Sequence, residues 1–335
     1  MKQLVKFSVA SVLALSAFAV QAGTLQDVQD KGSLTCGVSK GLAGFSAADS
    51  EGNWTGVDVD VCRAVAAAVL GDATAVNFVP LTAKERFTAL QSGEIDMLSR
   101  NTTWTITRDA SLGLNFAGVN YYDGQGFMVK ASLGISSALE LGGAAVCIQA
   151  GTTTELNLAD WGKQFGIDYT SVVSDTNAQT LSNYDEGRCD VLTTDASGLY
   201  SMRAASKDPS EHIVLPEIIS KEPLGPVVRQ GDDQWFNIVR WSLNALITAE
   251  ELGVTSATVD VVTNNPERER LMGRSGNTHD YVGLSKDWTY QIIKQVGNYA
   301  ESFERNIGLN TPIGIARGVN ALWSNGGILY SPPFR

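Results

Sequence analysis

Three polar segments in this chain have the residue types to hold a small charged molecule. Asn101-Thr102-Thr103-Trp104-Thr105-Ile106-Thr107-Arg108 offers hydroxyls and one arginine near the start of an expected helix. Arginine grips a carboxylate with two parallel hydrogen bonds, and free N–H groups at a helix start add partial positive charge. Gly151-Thr152-Thr153-Thr154 also opens an expected helix and suits an anionic oxygen. Asp195 stands just past a strand end, where its carboxylate accepts an ammonium. An arginine and an aspartate from two halves of one molecule together read a zwitterion. Simpler roles compete: Arg108 beside Asp109 as a surface pair, and the Thr run and Asp195 as helix caps. Catalytic motifs do not emerge. There is no GxSxG, GxxxxGK[ST] or GxGxxG after a strand. The two histidines, His212 and His279, have no metal-ligand spacing, and no cofactor is expected.

The elements that must position these segments alternate between strand and helix. Leu34 to Val38 reads as a strand. A helix follows with Asp58 as its expected N-cap, Val61, Val65 and Val69 at helical spacing, and Gly71 as its stop. Asn77 to Pro80 is a strand, Thr82-Ala83-Lys84-Glu85 a capping box, Gly93 a helix stop and Ile95 to Leu98 a strand. The pattern recurs: strand Ala145 to Ile148, capping boxes at Thr152 to Glu155 and Thr176 to Gln179, a stop at Gly187, and strand Cys189 to Thr193. Gly93-Glu94-Ile95-Asp96-Met97-Leu98 and Gly187-Arg188-Cys189-Asp190-Val191-Leu192 share one plan, which points to two similarly built α/β lobes with largely parallel sheets. Tyr121 to Val129 and Glu217 to Val228 are extended and serve as the two crossings between lobes. Asp232 to Ala249 and Trp288 to Ile307 read as long helices, and the Pro-rich end, Ser331 to Arg335, is expected to cover the first lobe.

Composition sets the compartment and the scale. The 335 residues exceed what one core usually serves. Met1 to Ala22 reads as a cleaved secretory signal: Lys2 and Lys6, the apolar run Phe7 to Val20, then Val20-Gln21-Ala22. The run is shorter than the roughly 20 apolar residues of a membrane span. Its removal takes the net charge from −11 to −13, and an acidic chain is a poor nucleic-acid binder. In an oxidising compartment the four cysteines form disulfides. Three pairings are open; Cys36–Cys62 with Cys147–Cys189 is favoured, because each pair then lies inside one lobe.

In order along the chain, Gly56-Val57-Asp58-Val59-Asp60, Arg86-Phe87-Thr88-Ala89-Leu90-Gln91-Ser92-Gly93 with Asp96, Thr103-Trp104-Thr105 with Arg108, and Gly151-Thr152-Thr153 resemble the family 3 extracellular solute-binding proteins. These are periplasmic receptors of polar amino-acid ABC transporters, and the resemblance runs from about Leu34 to Leu246. The C-terminal part, with Gly326-Gly327 and Pro332-Pro333-Phe334-Arg335, looks like the general L-amino-acid-binding subgroup, which serves glutamate, glutamine, aspartate and asparagine transport. The resemblance implies a two-lobed type II periplasmic-binding-protein fold with two crossing strands and a C-terminal extension. Lobe 1 is then 23–124 with 227–335, and lobe 2 is 125–226. It implies that Arg108 clamps the ligand α-carboxylate and that Asn101 and Thr103 bind carboxylate and amino groups. Asp195 receives the ammonium, Thr152 and Thr153 close over the ligand, and Arg86 reaches its side chain. Partners are the ligand and the membrane permease, and the protein is a monomer. Two departures stand out. Ile106-Thr107 replaces the acid that many relatives carry before the arginine. Asn177 stands where a histidine can occur, and its amide both donates and accepts, which suits carboxylate and carboxamide side chains alike. The rival expectation is an exported dehydratase-like enzyme on the same scaffold.

Overall fold

The computed structural model describes residues 23–335; the signal reading of Met1 to Ala22 lies outside the described residues. Two five-stranded sheets carry the structure. The first runs in the order Val76–Leu81, Leu34–Ser39, Met97–Leu98, Val227–Arg229, Leu114–Phe116. The second runs Thr170–Ser174, Ala145–Gln149, Val191–Asp195, Gln125–Lys130, His212–Val214. Each has a parallel centre, Leu34–Ser39 with its two neighbours and Ala145–Gln149 with its two. Each also has one strand that runs the other way: Val227–Arg229 in the first, Gln125–Lys130 in the second. The sheets are therefore mixed, not largely parallel. The reversed strand in each is the one that has just arrived from the other sheet, so it enters from the opposite end.

The two crossings pair with each other. Tyr121–Asp123 and Glu222–Leu224 form a two-stranded antiparallel ribbon with Glu222 opposite Asp123. Pro223 sits in it without penalty because a two-stranded ribbon consists only of edge strands.

Helices cover the sheets where apolar spacing placed them. In Asp233–Glu251 the side chains Trp235, Ile238, Val239, Leu243 and Leu246 are all buried. They join helix Val57–Leu70, a run of valines and alanines enclosed on nearly every side, in one large core against the first sheet. The second sheet has its own core around Phe127, Val146, Leu158, Trp161 and Val191. Both favoured disulfides form, one joining strand Leu34–Ser39 to helix Val57–Leu70, the other tying strand Ala145–Gln149 to the segment ahead of Val191–Asp195.

Two expected elements differ. The helix of Trp288 to Ile307 is two helices, Trp288–Val296 and Tyr299–Asn306. Gly297, at φ 92°, breaks it, and Asn298 with Glu301 forms a capping box that starts the second piece. Asp58 is not an N-cap: that position is Gly56, at φ 133°, where a Cβ would lie 2.0 Å from the Phe45 carbonyl oxygen. The tail does pack on the first lobe. Phe334 is buried edge-on against Trp241, ring centres 4.9 Å apart, on helix Asp233–Glu251.

Candidate functional site

Asp58 lies in the first turn of its helix, buried, and works as an anchor for the loop beyond strand Met97–Leu98. Its carboxylate accepts from the Asn101 N–H at 2.6 Å, Asn120 Nδ2 at 2.9 Å and Ser99 Oγ at 3.2 Å. Burial pushes its pKa up, and these bonds pull against that. They hold Asn101 at φ 33°, a left-handed conformation taken by no other non-glycine among the described residues. The loop is then stitched to the second crossing strand: Gly225 N–H donates to the Thr102 carbonyl (3.0 Å) and Trp104 N–H to the Pro223 carbonyl (2.8 Å). Thr105 caps helix Ile106–Ser111 by accepting from the Arg108 N–H.

Three buried guanidinium groups converge near this loop. Arg108 Nη1 donates to the Thr103 carbonyl at 2.9 Å. Arg100 Nε donates to the Leu81 carbonyl at 3.0 Å. Arg86 begins helix Arg86–Ser92, just after the expected Thr82/Glu85 box, whose two reciprocal bonds close the preceding turn. Its Nη1 and Nη2 reach Thr102 Oγ1 and the Gly151 carbonyl only at 3.5 Å, and its buried Nε has no partner. Arg86 and Arg108 both lie on the Phe87 ring, Cζ to centroid 4.8 and 5.3 Å. Among the described residues no carboxylate oxygen comes within 4.0 Å of any of the three. Burial depresses all three pKa values, Arg100 to about 10 and Arg86 well below the usual range, where Arg108 and Arg100 add repulsion.

The acids come from the crossings and the second sheet. Asp195 ends strand Val191–Asp195 and stands at the N-cap position of helix Ala196–Ala205, yet its carboxylate makes no capping bond. Burial drives its pKa well up, with Asp123 and Glu222 adding repulsion and Arg108 and Arg86 opposing. Asp123 accepts from Ser197 N–H and Oγ and from Gly124 N–H, and burial still pushes it up to about 6. Glu222 is buried and accepts from Thr153 Oγ1 (2.9 Å), Ser220 Oγ (2.8 Å) and Asn157 Nδ2 (2.5 Å). Sequence reasoning passed over Asp123 and Glu222. The available signal was an acid set in each otherwise apolar or Pro-containing crossing segment.

The second-lobe loop differs from its expected capping box. Thr152 holds the N-cap position, but its hydroxyl turns back to the Gln149 carbonyl (2.7 Å), while Glu155 accepts from Gly151 N–H. The first turn of helix Thr153–Phe165 is therefore not capped by a side chain at its N-cap. Thr153 Oγ1 lies 3.3 Å from Thr103 Oγ1 of the other lobe. Lys84 pairs with Asp175 at 2.7 Å, Ser201 Oγ donates to the Ala43 carbonyl at 2.8 Å, and Asn177 Nδ2 to the Gly41 carbonyl at 3.5 Å. All of these contacts cross between the sheets, so the cleft is closed. Arg86, Asn101, Thr103, Arg108, Thr153 and Asp195 gather around it; Thr152 faces back into its own loop, and Asn177 stands to one side against Gly41.

This arrangement sets two guanidinium groups that have no carboxylate within 4.0 Å, and on which Asp195 and Glu222 act only at longer range, around one cleft with a carboxylate that makes no capping bond and with hydroxyls between. It complements a zwitterion that carries a further polar or anionic group. Neither histidine is near it: His212 Nδ1 contacts the Tyr184 hydroxyl, and His279 lies beside Asp280. Among the described residues no cluster of metal-ligating side chains occurs and no helix is long and apolar enough to cross a membrane.

Residues 34–258 match the bacterial extracellular solute-binding proteins, family 3. The chain is 60% identical over 330 residues, 97% of either sequence, to the general L-amino acid-binding periplasmic protein AapJ of Rhizobium johnstonii. It is 54% identical over 338 residues, the full length of both, to the glutamate/glutamine/aspartate/asparagine-binding protein BztA of Rhodobacter capsulatus. A solved structure, an ABC transporter periplasmic binding protein from Brucella ovis with glutathione bound, superposes with a TM-score of 0.92 at 55% identity, covering 94% of this chain and all of that one.

Proposed function

This chain belongs to the family 3 bacterial extracellular solute-binding proteins, and from that premise we propose that it is the receptor of an ABC importer for polar L-amino acids: glutamate, glutamine, aspartate and asparagine. Its fold is the two-lobed type II arrangement with two crossing strands. The observation that carries the reading is the set of buried, unpaired charges: Arg86 and Arg108 on one lobe, Asp195 on the other.

In this reading Arg108 clamps the α-carboxylate, with Asn101 and Thr103 beside it, and Asp195 accepts the ammonium. Arg86 meets the side-chain carboxylate or amide, with Asn177 further out, and the Thr152-Thr153 loop closes from the second lobe. Ligand charges leaving water need fixed partners, and each charge-assisted bond contributes about 1.5–3 kcal/mol. Contacts from both lobes favour the closed form, which the permease then reads. Lobe 1 comprises 23–124 and 227–335, and lobe 2 comprises 125–226, with each boundary just past a strand of the crossing ribbon. The protein is exported to the periplasm by a cleaved signal, acts as a monomer and has no catalytic role. BztA and AapJ, named as binding proteins, support this over a dehydratase-like enzyme. Glutathione, bound by the Brucella relative, is a glutamate extended through its side-chain carboxyl, and it is a second ligand here because open space adjoins Asn177.

Calorimetric titration of refolded, ligand-free protein with Glu, Gln, Asp, Asn and Leu tests the reading. One-to-one binding of the polar four, with Leu much weaker, is expected. Failure of all four to bind overturns it.

A further inference from the structure

We propose that Glu222 is a positioning residue that sets the preference of the site for an α-ammonium over an α-hydroxyl group, by fixing the direction in which a row of hydroxyls donates. This deepens, and rests on, the reading of the cleft as an amino-acid site. Glu222 is 1% exposed. Its Oε1 accepts from Ser220 Oγ at 2.8 Å and from Asn157 Nδ2 at 2.5 Å, and its Oε2 accepts from Thr153 Oγ1 at 2.9 Å. Ser220 Oγ itself accepts from the Gln125 N–H, which leaves its proton for Glu222. Thr153 and Asn157 lie one turn apart on helix Thr153–Phe165 and so turn one face to the carboxylate. A hydroxyl carries a single proton, and that of Thr153 is committed to Glu222. On its other side Thr153 Oγ1 can only accept. The atom there is Thr103 Oγ1, 3.3 Å away, so Thr103 is the donor of that pair. The chain runs Thr103 to Thr153 to Glu222, and neither threonine keeps a proton for a ligand.

The pair stands at the α-carbon end of the site. Arg108, the carboxylate clamp, donates through Nη1 to the Thr103 carbonyl at 2.9 Å, and the charge of Glu222 acts on Arg108, Arg86 and Asp195. Two hydroxyls that only accept, beside a carboxylate, call for a group with several donors. An ammonium has three N–H bonds. An α-hydroxyl has one O–H, which Asp195 takes, and its lone pairs then face those of Thr103 and Thr153 with no proton between them. Such a mismatch costs most where water is excluded. Thr153 and Glu222 both fall within 125–226, so Thr153 is set as an acceptor before the lobes close, and only the link from Thr103 forms on closure.

Glu222→Gln reverses the chain. The two donors at Oε1 hold the amide oxygen on their side, so the amide nitrogen faces Thr153 and donates to it, freeing the Thr153 proton for the ligand. Thr153→Val cuts the chain but keeps the Glu222 charge, and Thr153→Ser keeps both. The test is the ratio of affinities for L-glutamate and L-2-hydroxyglutarate, by direct and displacement calorimetry on ligand-free wild type and the three variants. Wild type and Thr153→Ser are expected to prefer glutamate by at least about 100-fold, and the ratio to fall at least about tenfold in Glu222→Gln and Thr153→Val. If the ratio holds in Thr153→Val, Glu222 acts through its charge alone and the proposal is overturned; it is overturned equally if the ratio holds in a folded Glu222→Gln. Thr153→Val decides by itself if Glu222→Gln, a change at a buried group, does not fold. Either refutation leaves the amino-acid reading standing, because wild type still binds glutamate. If wild type does not bind glutamate, both readings fall.

Discussion

Arg86 and Arg108 keep positive charge in a buried place with no carboxylate beside them, a situation that costs the ligand-free protein free energy and that a ligand relieves. Arg108→Ala is therefore expected to weaken amino-acid binding at least about 100-fold, somewhat less than the loss of two charge-assisted bonds. The melting temperature of the ligand-free protein should not fall. Arg86→Ala should hurt glutamate more than glutamine, because only the first loses a counter-charge. Titration of both ligands into both variants checks this, and unchanged glutamate affinity in Arg108→Ala removes it from the site. The acids give a pH signature. Burial raises Asp195 and takes Asp123 up to about 6. For an acid raised in this way, the contribution to ligand-free stability is complete below its unfolded value near 4 and is lost as pH rises through its folded value. The ligand ammonium requires the charged form, so binding must expel protons at low pH. Affinity should rise from pH 5 to 7.5, and calorimetry near pH 6 in buffers of different ionisation enthalpy should register proton release. A flat profile without proton release would show that Asp195 does not meet the ammonium.

At the scale of elements, the binding loop depends on a side chain that never touches ligand. Asp58→Ala leaves the Asn101 N–H, Asn120 Nδ2 and Ser99 Oγ without their acceptor, at about 1–3 kcal/mol for each buried orphan. A total of about 3 kcal/mol or more corresponds to a melting-temperature drop of roughly 6–12 °C, accompanied by weaker binding as Asn101 relaxes from φ 33°. Differential scanning calorimetry with parallel titration decides it; an unaltered affinity would mean that Asp58 serves the core alone. This anchor marks the boundary of what sequence could show. Gly93 and Gly187 as stops, the alternation of strand and helix, and the polar strand ends bearing Arg108 and Asp195 were legible because each rests on local pattern. Asp58 was not, since an acid at a helix start ordinarily serves the helix dipole, and its three partners lie more than 40 residues away. Glu222 was hidden for the same reason, as its importance comes from Thr153 and Asn157, 69 and 65 residues earlier. The break at Gly297 was overlooked because apolar spacing runs on through it, although Asn298 and Glu301 carry the capping signal.

For the whole molecule, the balance between open and closed forms follows from what crosses the cleft and what does not. Most of the crossing contacts are weak, the part-buried bond from Ser201 Oγ to the Ala43 carbonyl at 2.8 Å being the exception. Lys84 and Asp175 are both more than half exposed, and the Arg86 and Asn177 bonds are at 3.5 Å. The ligand must therefore supply most of the closing free energy. The C-terminal extension acts elsewhere. The Asn320 amide accepts from the Tyr122 N–H (2.7 Å) and donates to the Tyr122 carbonyl (3.0 Å), completing the free edge of the crossing ribbon. The Tyr299 hydroxyl donates to the Asn120 carbonyl just before it. Both braces join the first lobe to its own end of the ribbon, so they hold equally in open and closed forms. X-ray scattering of ligand-free protein should accordingly show a larger radius of gyration that contracts on adding glutamate. Asn320→Ala should lower stability by about 1–3 kcal/mol, for two lost bonds, yet keep the contraction and an affinity within about threefold of wild type. Should Asn320→Ala abolish the contraction or shift affinity by more than tenfold, the extension would be part of the hinge itself and not a brace upon it.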